Sequence, residues 1–471
     1  MDIGLRRPRW SPGAARVPPR GTPNRRPPVP RRDDLQNAVG QAPAAPSLET
    51  GSLPDAAALA GGPATPEPSG AETHNRVGSP RYIRTSLALF LAGFATFSLL
   101  YCPQPLLPTL SRAFGVDAAA ASLSISFSTA CLALSIVAAA TLSDLKGRKS
   151  VMMLSLLAAS ALNVVAAAAP SWPLFLLARA LEGVALGGVP AVAMTYLAEE
   201  TEARGLGLAM GIYVGATAVG GMGGRVITGL VAQAFDWRAA VATIGALGLL
   251  NALGFLLLLP ASRHFRARAV DVRTQALAFR GALADRRLLA VYAFAFLAMG
   301  GFVAIYNYAG FRLEAPPYGL DQAQEGLIFT LYLLGTLSST LAGTLADRLG
   351  RAPVMALALA VALLGVGATL FAPLAAVVLG IALVTLGFFA GHGVASGTVG
   401  GLAGPNKAQA ASLYLLSYYL GSSVLGTLGG TFWTAGGWAG VAGFVAALFA
   451  GATLLALALA AAVRRSGPAV P

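Results

Sequence analysis

Charge is what this chain has least of. Of 471 residues, only 11% are Asp, Glu, Lys or Arg, against about 25% in an ordinary soluble domain. Acids are scarcer still, 20 against 33 basic residues. The two cysteines, Cys102 and Cys131, both lie in apolar stretches, which excludes a disulfide framework and leaves no zinc-ligand spacing. No G-x-x-x-x-G-K-[ST] phosphate loop occurs, so nothing supports an ATP-driven pump. No nucleophile–base pair or metal cluster stands out, so the expectation is a non-enzyme without cofactor or metal. No apolar run follows the basic start, which argues against a secretory signal.

What fills the space is hydrocarbon. The chain is 56% hydrophobic, and these residues fall into twelve blocks between about 86 and 462, each near the length that crosses a ~30 Å hydrocarbon core. The first blocks lie near 86–108 and 121–143, the last near 408–432 and 438–462. They are continuous and Ala/Leu-rich rather than alternating, which disfavours a β-barrel. The expected fold is an all-α membrane protein of twelve transmembrane helices in two six-helix halves. Residues 1–82 are Pro- and Arg-rich, with nine arginines between Arg6 and Arg32. They read as a disordered basic tail, alternatively as one that touches anionic lipid.

The basic residues set an orientation. With a cytoplasmic N-terminus and one crossing per block, eighteen Lys and Arg outside the tail fall on the cytoplasmic side. Three, Arg112, Arg238 and Arg312, fall outside. This positive-inside asymmetry predicts cytoplasmic termini and accounts for the net charge of +13 without nucleic acid. The lipid bilayer is the expected partner of the chain, which is read as a monomer.

A short charged turn recurs. Asp144 to Lys149, between the second and third blocks, returns as Asp347 to Arg351, 203 residues on. The same interval carries the second block onto the eighth, and Trp237 nearly meets Trp438. The chain therefore divides into six-helix halves over 83–260 and 288–465, joined by an arginine-rich linker, 261–287.

On these residues the chain resembles the major facilitator superfamily. The first turn, Ala140-Thr-Leu-Ser-Asp144-Leu-Lys-Gly147-Arg148, is similar to the family's G-x-x-x-D-x-x-G-R loop, and Gly343-Thr-Leu-Ala-Asp347-Arg-Leu-Gly350-Arg351 keeps its first glycine too. Arg179-Ala-Leu-Glu-Gly183 matches the family's R-x-x-x-G. The glycine-rich fifth block, with Gly215, Gly220, Gly221 and Gly224, resembles the antiporter motif in part. It lacks the proline and carries Arg225 where glycine is expected. Leu100-Tyr-Cys-Pro-Gln-Pro and Met194-Thr-Tyr-Leu-Ala-Glu-Glu look like bacterial inner-membrane transport proteins of the sugar-efflux and drug-efflux kind. The resemblance covers about 82 to 465.

It implies roles for particular residues. Asp144, Gly147 and Arg148, with Asp347, Gly350 and Arg351, would form gate latches, block eleven being the partner of Asp144 and Glu199 or Glu200 the acid for Arg148. A wet turn without function is the alternative. Arg179 and Glu182 lie inside block four and share a helix face, as a self-neutralising pair or as a cavity-lining pair that couples protons, with Gly183 beside them. Arg225 has no acid within helix reach, so its partner must come from another helix, a carbonyl or water. Tyr101, Gln104, Tyr306, Asn307 and His392 are polar groups at depth, in the cavity-lining helices by resemblance. Proton coupling needs a titratable group in the membrane, and the sequence offers Glu182 and His392. The expected function is secondary transport of a small organic solute by alternating access, as proton-coupled efflux in the bacterial inner membrane. Symport or uniport into the cell, and a non-transporting receptor or lipid-handling protein on the same scaffold, remain as alternatives.

Overall fold

The computed structural model describes residues 74–265 and 272–465, so the expected tail lies outside the described residues up to residue 73. Residues 74–82 are folded: Asn75 N–H donates to Glu200 O at 2.8 Å, and the first helix begins at Pro80.

Every described element except one isolated β-bridge, Asn75 with Thr201, is helical. The first half comprises α1 (Pro80–Tyr101), α2 (Leu107–Phe114), α3 (Ala118–Lys146), α4 (Arg148–Ala167), α5 (Trp172–Leu186), α6 (Gly188–Glu200), α7 (Ala203–Ala234) and α8 (Trp237–Leu258). After α9 (Val272–Ala284) come α10 (Arg286–Glu314), α11 (Gln322–Ile328), α12 (Tyr332–Leu349), α13 (Arg351–Ala368), α14 (Leu374–Leu402), α15 (Lys407–Leu420) and α16 (Gly426–Arg465). Among the described residues, eleven stretches are long and apolar enough to cross a membrane, the last of them Lys407–Ala462. That last stretch bends at Gly436 and Gly437, whose backbone leaves the helical region (Gly437 φ 56°, ψ −144°). The bend turns one 56-residue stretch into the eleventh and twelfth crossings. The fold is an all-helical membrane bundle of twelve spans in two pseudo-symmetric halves.

Local chemistry starts these helices where they start. Asp117, Asp236 and Asp321 each accept a hydrogen bond from a first-turn N–H, satisfying donors that a helix leaves orphaned. The first crossing is interrupted because Pro103 and Pro105 lack the N–H groups that α-helical bonds to Leu99 and Tyr101 would need. A short 3₁₀ turn, Gln104–Leu106, bridges α1 and α2.

Inside each half, glycine sets the spacing. A Cβ on Gly220 of α7 would stand 2.3 Å from Phe94 O of α1, and Ser98 Oγ donates to Gly220 O at 2.8 Å. The second half repeats this contact: a Cβ on Gly421 would stand 2.1 Å from Phe296 O. Outward, large side chains such as Leu134, Leu341 and Leu364 are two-thirds exposed. Such a leucine belt is unfavourable in water and matched by lipid chains.

Candidate functional site

Three polar side chains meet where the two halves touch. Gln104 follows the proline break of the first crossing. Asn307 lies seven residues before the end of α10, and Arg225 nine before the end of α7. Arg225 Nε donates to Gln104 Oε1 at 2.7 Å, and Gln104 Nε2 donates to Asn307 Oδ1 at 2.7 Å. The order of atoms is forced: a guanidinium can only donate, so Gln104 turns its oxygen to Arg225 and its amide to Asn307. Arg225 Nη1 also donates to Gly221 O at 2.6 Å. The guanidinium lies 4.3 Å from the ring centroid of Tyr101, 4.9 Å from Phe329 and 5.0 Å from Tyr332, distances at which a ring face attracts a cation. Two of those rings come from the other half. Arg225 thus found its partners on other helices and on a carbonyl. Phe329 and Tyr332, missed in sequence, had no signal beyond ordinary aromatic residues in an apolar block.

Tyr306, next to Asn307, turns the other way, its hydroxyl 2.7 Å from Thr385 Oγ1. Thr385 stands 203 residues after Glu182, so the second half has a hydroxyl where the first has a carboxylate. His392 accepts or donates at Nδ1 with Tyr414 Oη, 2.8 Å away, and stacks on Phe388. Its partners, Tyr414, Phe388 and Tyr418, are not members of the Arg225 group.

Arg179 and Glu182 are both 0% exposed. Arg179 is ion-paired with Glu182. It also donates to Leu99 O at 3.1 Å, Leu100 O at 2.6 Å, Ser124 O at 3.1 Å and Asn163 Oδ1 at 3.1 Å. The proline break frees the Leu99 and Leu100 carbonyls, and the guanidinium caps them. Gly183 lets α5 reach α3, since a Cβ there would stand 2.2 Å from Ser128 O. The pair ties together α1, α3, α4 and α5. Asn163, a lone amide in the third block, was the overlooked signal for this tie.

The repeated turns share a backbone and differ in charge. Gly147 has φ 93°, ψ 146° and Gly350 φ 88°, ψ 151°, a region open to glycine alone. In the first turn Arg148 pairs with Asp144 at 2.6 Å and with Glu199 at 2.8 Å. Of the two acids expected, Glu199 is the partner. Glu200 instead accepts from the backbone of Arg263 and His264 and lies 3.7 Å from Arg81. Asp144 is held within its own turn rather than on the eleventh crossing. In the second turn Asp347 is exposed, and Arg351 donates to Gly397 O.

The opposite end has its own inter-half contacts. Arg112 is ion-paired with Glu314, Gln322 N–H donates to Gln233 Oε1 at 3.3 Å, and Ser126 Oγ lies 2.6 Å from Thr427 Oγ1. Glu325 of α11 is 3% exposed, so Glu182 and His392 are not the full set of titratable groups at depth. In sequence Glu325 opens the eighth apolar block, a few residues after Glu314 and Asp321, and nothing there singled it out.

Residues 89–315 match the family model described as Major Facilitator Superfamily. The inner membrane transport protein YnfM of Escherichia coli (strain K12) is 47% identical over 378 residues, 80% of this chain and 91% of that protein. The uncharacterized MFS-type transporter YybF of Bacillus subtilis (strain 168) is 42% identical over 373 residues, 79% of this chain and 92% of its own. Among solved structures, a bacterial homolog to the human lysosomal transporter Spinster, in an inward-facing and occupied conformation, superposes with TM-score 0.69. It is 17% identical and covers 82% of this chain and 97% of that one.

Proposed function

The chain belongs to the Major Facilitator Superfamily and is a secondary transporter, and we propose that it exports a small organic solute from the bacterial cytoplasm in exchange for protons. The observation that carries this reading is the hydrogen-bonded chain Arg225–Gln104–Asn307, buried in the bundle and shared by the two halves. In alternating access the halves rock about a site at depth. A polar chain across their seam must then break and re-form in each cycle, and a solute can replace its members. The cation and its three aromatic neighbours favour a solute with an acceptor or anionic group on a flat apolar body.

The Asp144 turn is read as the cytoplasmic end, on the excess of basic residues there. The inter-half contacts Arg112–Glu314, Gln233–Gln322 and Ser126–Thr427 close the opposite end. Cytoplasmic solute then has the Asp144 end as its way in, which supports efflux. Asp144, Arg148 and Glu199 act as a latch, made of two carboxylates on one guanidinium and broken when the helices separate. The second turn, Asp347 with Gly350 and Arg351, is the looser counterpart.

The test is solute counterflow in proteoliposomes with an imposed pH gradient, after a thermal-shift screen in detergent has found solutes. Accumulation should follow the gradient, and Arg225→Met should abolish it while the protein stays in the membrane. Transport indifferent to the gradient would sink proton coupling. Transport by Arg225→Met at the unmodified rate would remove the site.

A further inference from the structure

Glu325 is the buried charge that the reading above leaves unused. It is 3% exposed, and among the described residues neither carboxylate oxygen accepts a hydrogen bond. A cavity of about 10 Å³ opens beside it, lined by Gln104, Tyr306, Gly310 and Phe329 among others, room for about one water. This cavity joins Glu325 to Gln104, the middle member of the polar chain.

The packing around Glu325 is the seam between the halves. A Cβ on Gly229 of α7 would stand 2.4 Å from Gln322 O of α11, and a Cβ on Gly326 would stand 3.2 Å from Gly229 Cα. A Cβ on Gly310 of α10 would lie 3.1 Å from Glu325 Oε2 and 3.3 Å from Pro108 of α2. The closed end therefore has glycine on both sides of the acid, and its fit leaves little slack.

The charged groups facing Glu325 come from several elements. α10 supplies Glu314, α2 supplies Arg112, and Asp321 caps Glu325's own helix. α7 supplies Arg225. Both arginines are engaged elsewhere, Arg112 by Glu314 and Arg225 by Gln104 and the Gly221 carbonyl. A carboxylate buried without a hydrogen-bond donor on either oxygen is costly. A neutral carboxyl fits there and an anion does not.

We propose that Glu325 is the proton-binding group that sets the gate at the Arg112 end. Protonated, it lets α7 and α11 close on Gly229 and Gly326. Loss of its proton into the Gln104 cavity, when solute takes over the polar chain, places a bare charge in a closed seam and drives that end apart. The open carboxylate then takes one proton from the Arg112 side and the seam closes. One proton enters from that side and one leaves on the other in each cycle. The assignment rests on the proton-exchange reading above and names the residue that performs it.

The experiment reads the gate rather than transport. Ala113 and Ala315 are exposed on the two sides of that end. Ala113→Cys with Ala315→Cys, on a Cys102→Ser, Cys131→Ser background, carries a pair of spin labels in lipid nanodiscs. With Glu325 intact, the fraction of long distances should rise several-fold from acid to alkaline pH. Glu325→Gln should hold short distances throughout, and Glu325→Asp should keep the pH response. A pH response that survives Glu325→Gln, or one abolished by Glu314→Gln instead, overturns the proposal. So does a gradient-driven transporter whose distances ignore pH. If Glu325→Gln freezes the gate while transport ignores a pH gradient, the gate assignment stands and the exchange reading fails.

Discussion

Gln104 donates to Asn307 across 2.7 Å, and the two residues stand 203 positions apart, the interval that separates Asp144 from Asp347. The repeat thus bonds to itself at its own centre. Equivalent positions in two halves related by a pseudo-twofold can meet only near the axis of that twofold. The contact therefore lies close to that axis. The symmetry ends there, because the arginine that fixes the Gln104 amide, Arg225, belongs to the first half.

Breaking the chain should cost stability in a non-additive way. Gln104→Leu strands a donor on Arg225 and an acceptor on Asn307, and should destabilise by about 1–3 kcal/mol. Asn307→Leu should cost less, since it leaves Gln104 still bound to Arg225. The double variant should cost less than the sum, with a coupling of about 0.5–1.5 kcal/mol. Thermal unfolding in detergent measures the cycle. Additivity would mean the contact contributes nothing.

The two turn glycines make a cleaner case. A Cβ on Gly147 would meet nothing within 4 Å, so Gly147→Ala is penalised by its backbone alone, by about 1–3 kcal/mol. Gly350→Ala should lose a similar amount, because its dihedral angles agree within about 5° and its nearest neighbour, Pro353, is at 3.7 Å. Matched falls in melting temperature are the expected outcome. A large difference would show that the ion pairs of the first turn, not the backbone, make glycine necessary.

Much of this was legible in sequence because membranes impose strong rules. Apolar length reports a span, basic residues report a side, and a charged turn with glycine reports a boundary, so the duplication followed from residues such as Asp144 and Asp347. Trp438 marked the start of the last crossing, one residue after the Gly437 bend. Polar residues at depth flagged Gln104, Asn307 and Arg225, although nothing linear said that they touch. What stayed hidden depends on how the halves dock. Glu325 gave no signal, because its helix is covered by Gly229 and Gly310, from different halves. Arg179 and Glu182 stayed open between two readings because the carbonyls that engage Arg179 lie on other helices, two of them beside prolines 76 and 74 residues away. Phe329 and Tyr332 differ from lipid-facing aromatics only in direction, which composition does not encode.

The latch should be asymmetric. Arg148 holds two carboxylates and is 6% exposed, whereas exposed Arg351 holds a carbonyl. Arg148→Ala or Asp144→Asn should slow counterflow on the order of tenfold or more, with protein still in the membrane. Arg351→Ala should change it by no more than about threefold, in line with the small worth of an exposed polar contact. Full transport by Asp144→Asn would sink the latch.

The Arg179–Glu182 pair offers the sharpest separation of structure from transport. Arg179→Met leaves Glu182 bare in a fully buried site, and a broken buried pair costs about 3–5 kcal/mol. Arg179→Met with Glu182→Met removes both charges and should recover part of that loss, since paired hydrophobic replacements are often neutral or better. The recovery should be incomplete. The Leu100 carbonyl loses its guanidinium donor, and Leu99 and Ser124 keep only the long bonds from Cys102 Sγ and Ser128 Oγ. Arg179→Lys should fall between the two, because an ammonium has three donors for a larger set of acceptors. Transport gives the second readout. Glu182→Gln should lower the melting temperature yet leave the dependence on an imposed pH gradient intact, because the carboxylate is enclosed by protein on every side. A variant that melts normally and no longer responds to the gradient would return Glu182 to the proton path and displace Glu325 from it.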